Sequence, residues 1–107
     1  VFIQYKTSNN KKLNISNLLE KYLDDEKTLL ICNDINLYSK ENKKYSIAQK
    51  FVLNKIIYYL DVIKNSDEIY IIDSCFTGIV LPLLKTNKLK AKVIRIILRN
   101  LAEKINL

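Results

Sequence analysis

The run Ile69-Tyr70-Ile71-Ile72-Asp73-Ser74-Cys75-Phe76-Thr77-Gly78 decides how this chain is read. Its first half is continuously apolar, the pattern of a strand covered on both faces, as in parallel sheets. Its second half is a short polar turn rich in hydroxyl residues that opens a helix. Three other segments repeat the arrangement. Phe2-Ile3-Gln4-Tyr5-Lys6 runs into Thr7-Ser8-Asn9-Asn10, Leu29-Leu30-Ile31-Cys32 into Asn33-Asp34, and Val93-Ile94-Arg95-Ile96-Ile97-Leu98 into Arg99-Asn100. Between them lie stretches of helical periodicity. Alternating strands and helices predict an α/β fold, a doubly wound, Rossmann-like parallel sheet of about four strands with helices on both faces. In such sheets ligands bind outside the carboxyl ends of the strands. The four polar clusters are then expected at one edge, and that edge is the expected site.

The predicted strands are residues 1–6, 28–32, 69–73 and 93–98. A first helix is expected to about Leu23, capped by Ser16 or by an Asn17–Glu20 capping box, with Leu18, Leu19, Tyr22 and Leu23 facing inward. A second is expected from Ser46, with Gln49 completing a capping box, to about Ile63. Its inward positions are Ile47, Phe51, Val52, Ile56, Tyr59, Leu60 and Ile63. A third, capped by Asp73 or Ser74, runs through Leu84. Pro82 should kink or split it, because its ring meets the carbonyl of Gly78. A last short helix covers 101–106. The connection 33–45 is long, and long connections in compact domains are often functional.

The 107 residues bound one domain, and a hydrophobic fraction of 49% supports a core. The chain begins at Val1, so it is expected to be the C-terminal part of a longer protein. The net charge is +7, and the segment from Lys85 to Leu107 holds seven cations against Glu103 alone. Only Arg95 and Arg99 among the 18 cations are arginines, the bidentate readers of phosphate and guanine. There is no histidine, which removes the commonest general base and metal ligand. Cys32 and Cys75 make no disulfide framework and read as reduced and half-buried, which favours a reducing intracellular compartment. The sequence shows no zinc spacing and no transmembrane run, and Val1 to Tyr5 is too short for a signal sequence, so any signal or anchor is expected in the missing N-terminal part. No metal or cofactor is expected.

Three candidate clusters carry chemistry. In Asp73-Ser74-Cys75-Phe76-Thr77 the free N–H groups and dipole of a helix start favour a phosphate. Phe76 would flank a base or sugar there, or pack back onto the sheet, and ordinary capping by Asp73 or Ser74 is the alternative reading. Asn33 and Asp34 offer an amide and a carboxylate to a base edge or ribose, against a plain Asx-turn. Lys6, sharing a strand face with Gln4, would set a point charge over a diphosphate, against a solvated strand end.

Taken in order, these clusters resemble the C-terminal, nucleotide-sugar-binding half of GT-B-type glycosyltransferases, especially the fucosyltransferase-like families. Gln4-Tyr5-Lys6 stands where the family has His-x-Arg, Asn33-Asp34 where an Asp reads guanine, and Asp73-Ser74-Cys75-Phe76-Thr77 where a Ser-Ser-Phe-Ser motif lies. Gln4 and Lys6 replace the family's His and Arg, and Cys75 replaces a hydroxyl residue. The resemblance implies a GDP-sugar-like donor held by Lys6, Asn33, Asp34, Asp73, Ser74, Cys75 and Phe76, with an acceptor of unknown identity and no assigned catalytic residue. Two alternatives remain: an α/β structural or interaction domain without catalysis, and a basic polyanion-binding module. The last is ranked lowest, because aromatics are not interleaved with the basic cluster, so nucleic acid is the disfavoured partner.

Overall fold

The computed structural model describes residues 1–5, 12–52, 55–73, 76–102 and 104–107, and for 56, 57 and 99 the backbone alone. Four strands, β1 (Phe2–Ile3), β2 (Ile31–Cys32), β3 (Glu68–Ile72) and β4 (Val93–Ile97), form one sheet in the order β2-β1-β3-β4. Every pairing is parallel: Phe2 and Ile3 register with Ile31 and Cys32 on one side and with Ile69 and Tyr70 on the other, and Glu68–Ile72 registers with Val93–Ile97. The expected parallel α/β architecture is therefore present, with strands shorter than predicted. The backbone of β1 continues past its ladder, since Gln4 N donates to Tyr70 O at 2.9 Å and Leu13 N to Tyr5 O at 2.8 Å.

Side-chain alternation divides the core in two. Ile3, Tyr70 and Ile72 join Leu13, Ile15, Leu18, Leu30, Tyr38, Ala48, Ile97 and Ala102 on one face. Phe2, Ile69 and Ile71 join Tyr59, Ile63, Phe76 and Val80 on the other. Helix α1 (Ser16–Tyr22) covers the first face through Leu18. Helices α3 (Leu60–Asn65) and α4 (Thr77–Lys85) cover the second through Ile63 and Val80. Ile69, Ile71 and Ile72 are fully buried, as a central strand covered on both faces requires.

The predicted 46–63 helix is corrected. Helix α2 (Tyr45–Gln49) is five residues long, and the next regular element among the described residues is a 3-10 turn at Ile56–Tyr59 leading into α3. After Gln49 the bonds tighten to three-residue spacing, Lys50 N to Ile47 O at 3.3 Å, Phe51 N to Ala48 O at 3.1 Å and Val52 N to Gln49 O at 3.2 Å. The buried Tyr59 hydroxyl reaches the carbonyls of Phe51 and, at 3.2 Å, Asn33, tying the break to the loop after β2. Within α2 the inward residue is Ala48, whereas Ile47 is exposed.

The predicted caps also give way. Ile15 and Lys44 stand at the N-caps of α1 and α2, and neither helix has a side-chain cap bond. Asparagines two residues ahead act instead: Asn14 Oδ1 accepts from Ser16 N at 3.2 Å and Asn42 Oδ1 from Lys44 N at 2.9 Å. Asp25 and Asn36 close the same kind of turn onto Lys27 and Tyr38. An Asn or Asp side chain readily mimics a backbone turn in this way, which gives the chain's asparagine content a local role. At the C-terminus a 3-10 turn, Arg99–Leu101, and an isolated parallel bridge between Asn14 and Asn106 replace the expected 101–106 helix.

Helix α4 runs through Pro82 rather than splitting there. Pro82 and Gly78 are both exposed, so water can take the carbonyl that the missing donor leaves.

Candidate functional site

Because all four strands are parallel, their carboxyl ends lie along one edge. In a 2-1-3-4 order the connections from β1 and β3 leave toward opposite faces, and the crevice between such strands is the usual ligand position. Gln4 sits at this point. It is 3% exposed, and its Oε1 accepts from Ile72 N at 3.1 Å, so the side chain continues the β1–β3 ladder past the last strand residue. It thereby fixes where β3 releases the Asp73–Thr77 turn.

In that turn Thr77 Oγ1 donates to Asp73 Oδ1 at 3.1 Å. Phe76, not Asp73 or Ser74, stands at the N-cap of α4, without a side-chain cap bond. An exposed carboxylate at this helix start suits a ligand hydroxyl better than a phosphate, which it repels. Of the two readings of Phe76, the structure shows the packing one. Phe76 is 4% exposed, and its ring lies 5.4 Å from that of Phe2 and 5.8 Å from that of Tyr59. So packed, the ring serves the core beneath the strand ends. Lys6, Ser74 and Cys75 lie outside the described residues.

At the end of β2, Asn33 and Asp34 are part-buried, and Asn33 Oδ1 and Asp34 Oδ2 are buried atoms with no hydrogen-bond donor among the described residues. Asp34 Oδ1 accepts from Cys32 Sγ at 2.9 Å. A buried acceptor left unmet is unfavourable by roughly 1–3 kcal/mol. Such atoms mark a place where a donor from outside would be stabilising.

Cys32 is 3% exposed, and burial, helped by its bond to Asp34, pushes the thiol from 9.0 up to about 12. A raised value means that the neutral thiol is favoured in the folded state. This contribution is complete below pH 9 and is lost as the pH rises toward 12. The expected slope is about 1.4 kcal/mol per pH unit. Tyr22, Tyr38 and Tyr70 are also pushed up, so they erode stability over a similar alkaline range. Thermal melts of the parent and Cys32→Ala between about pH 8 and pH 11 isolate the thiol. The variant should lose stability more slowly as pH rises, and parallel curves would contradict the assignment.

A cavity of about 280 Å³ opens beside these strand ends. Tyr5 walls it from β1, Leu13, Asn14, Ile15, Ser16 and Leu19 from the α1 segment, and Ile35 and Leu37 from the loop after β2. Larger hollows of about 390 and 420 Å³ lie at the turns flanking β2 and at the strand starts, and one of about 450 Å³ lies along α4 and reaches Thr77 and Gly78 at its start. The smaller one is singled out by its walls, from β1 and from the loop that carries Asn33 and Asp34, not by its size. Its volume is just below the ~300–1,000 Å³ of a complete small-molecule site, so it suits one moiety of a ligand. Tyr5, Leu13, Ile35 and Leu37 were not among the predicted site residues. The available signal was the pair of apolar residues directly after Asn33-Asp34 in the long 33–45 connection.

The lysines of residues 85–92 do not converge on this edge, whereas Arg99 follows the carboxyl end of β4. Lys85 ends α4, and Lys88, Lys90 and Lys92 lie on the connector into the amino end of β4, at the opposite edge of the sheet. There Lys90 Nζ lies 3.5 Å from Asp67 Oδ1, and Lys92 N donates to Asp67 O at 2.8 Å. Among the described residues no cluster of three or more His, Cys, Asp or Glu side chains could hold a metal ion, and no helix is long and apolar enough to cross a membrane. No protein-family model, curated protein or solved structure matches the chain.

Proposed function

We propose that this chain is a nucleotide-sugar-binding α/β unit of the GT-B glycosyltransferase kind, with a GDP-sugar as the ligand class. The observation that carries the reading is the pair of buried acceptors, Asn33 Oδ1 and Asp34 Oδ2, that no donor among the described residues meets, at the carboxyl end of a parallel strand. Guanine presents two adjacent donors, N1–H and the exocyclic amino group, whereas uracil presents one N–H between two carbonyls. Two acceptors therefore favour guanine. The cavity walled by Tyr5, Ile35 and Leu37 supplies an apolar slot for a flat ring in the same loop region. Asp73, exposed at the end of β3, accepts from a ribose or sugar hydroxyl. The diphosphate falls to Lys6, because the lysines of residues 85–92 stand at the far edge.

Calorimetric titration with GDP, UDP and ADP tests this. GDP should bind with a Kd between about 1 μM and 1 mM, and more tightly than UDP or ADP. Absence of heat with all three at millimolar concentration defeats the reading.

A further inference from the structure

We propose that the outer edge of β4 takes up an extended acidic segment of another protein as a fifth strand. The inference is independent of the nucleotide reading, because β4 pairs with β3 and no other strand is hydrogen-bonded to it among the described residues. The carbonyl of Ile97 is taken by Asp73 N at 2.8 Å. Backbone groups alternate between the two edges of a strand, so those of Ile94 and Ile96 face outward. An open row of donors and acceptors is a template for strand addition.

The side chains around this edge specify the partner. Val93 is 37% and Leu98 54% exposed, giving apolar contact at either end of the strand. Lys88, Lys90, Lys92 and Arg95 are exposed along the strand and its approach, and only Lys90 among these four has an ion-pair partner, Asp67, among the described residues. A second copy of the chain would bring Lys92 and Arg95 against the same cations. A nucleic acid offers no N–H and C=O ladder for the outward groups of Ile94 and Ile96. Arg95 registers with Tyr70, on the sheet face opposite that of Ile94 and Ile96, with which Lys92 is in phase. An extended segment with acidic and apolar residues on both of its faces therefore meets the backbone and the charge requirement.

The test is fluorescence anisotropy of the chain with a labelled peptide of about eight residues repeating Glu-Glu-Val-Val, which sets carboxylates on both faces, compared with its Lys-for-Glu counterpart. Several exposed charge pairs should favour the acidic peptide by about ten-fold, with a preference that fades as salt is raised. Ile94→Pro removes one outward N–H, a change that edge strands tolerate, and should weaken binding about three- to ten-fold. The double variant Lys92→Glu/Arg95→Glu touches only exposed side chains and should transfer the preference to the Lys peptide. If Ile94→Pro does not fold by circular dichroism, the charge reversal decides alone. Equal binding of the two peptides, an unmoved preference after charge reversal, or sedimentation showing β4 occupied by a second copy would each overturn the proposal.

Discussion

Phe76→Ala should lower the folding free energy by about 3–5 kcal/mol, the usual range for deleting a buried aromatic ring. The position explains the size. Phe76 packs with Phe2 and Tyr59 in a three-ring cluster whose centroids are 5.4–5.8 Å apart, and all three residues are at most 4% exposed. These rings join β1, α4 and the 3-10 turn before α3, so a cavity here loosens three elements together. Small domains hold only about 5–15 kcal/mol in total, so the variant should be largely unfolded at moderate urea. The backbone role of Phe76 survives the change, since its carbonyl still accepts from Ile79 N and Val80 N, both at 3.0 Å. Urea denaturation followed by circular dichroism reads the effect. A variant of full stability that had lost nucleotide binding would return the ring to the ligand site.

Asp34→Asn has the largest expected effect on binding. Hydrogen bonds to charged groups are worth about 1.5–3 kcal/mol, so GDP should bind roughly 10–150-fold more weakly. Stability should move the other way or not at all. The carboxylate has a buried oxygen without a donor among the described residues, and replacing it with a neutral amide reduces the cost of burying it. The amide keeps an oxygen for the Cys32 thiol, which is 2.9 Å from Asp34 Oδ1. Paired calorimetry and urea melts separate the two quantities. Unchanged GDP affinity in a folded Asp34→Asn protein would remove guanine reading from Asp34, and an equal fall in stability would make its role structural.

The two predictions differ in what sequence can reveal. Phe76 and Asp34 both follow apolar strands and both looked like candidate ligand contacts. Whether a ring faces the ligand edge or the core depends on the phase of the first turn after the strand. That phase is set by tertiary contacts, here the approach of Phe2 and Tyr59 from other parts of the chain. The break in the predicted 46–63 helix has a similar origin. Apolar spacing suggested one helix, but the Tyr59 hydroxyl bonds to the carbonyls of Asn33 and Phe51 across the break, a contact no local pattern announces. Local hydrogen bonding likewise moved the caps. Asn14 and Asn42 take the amides of Ser16 and Lys44 from outside the helices, where a capping-box reading looked inside them.

Four apolar segments ending in polar residues, separated by helical stretches, were sufficient for the parallel α/β architecture and for the edge where those ends gather. Pattern and order carry that information, since a strand buried on both faces must be apolar throughout and parallel strands need crossovers between them. Tertiary structure alone decided the strand order β2-β1-β3-β4, the burial of Phe76 and the unmet acceptors of Asn33 and Asp34. It also decided that the lysines of residues 85–92 stand at the edge opposite the candidate site. Burial and distance between segments far apart in the chain follow from how the layers pack, and residue spacing along the sequence carries no record of them.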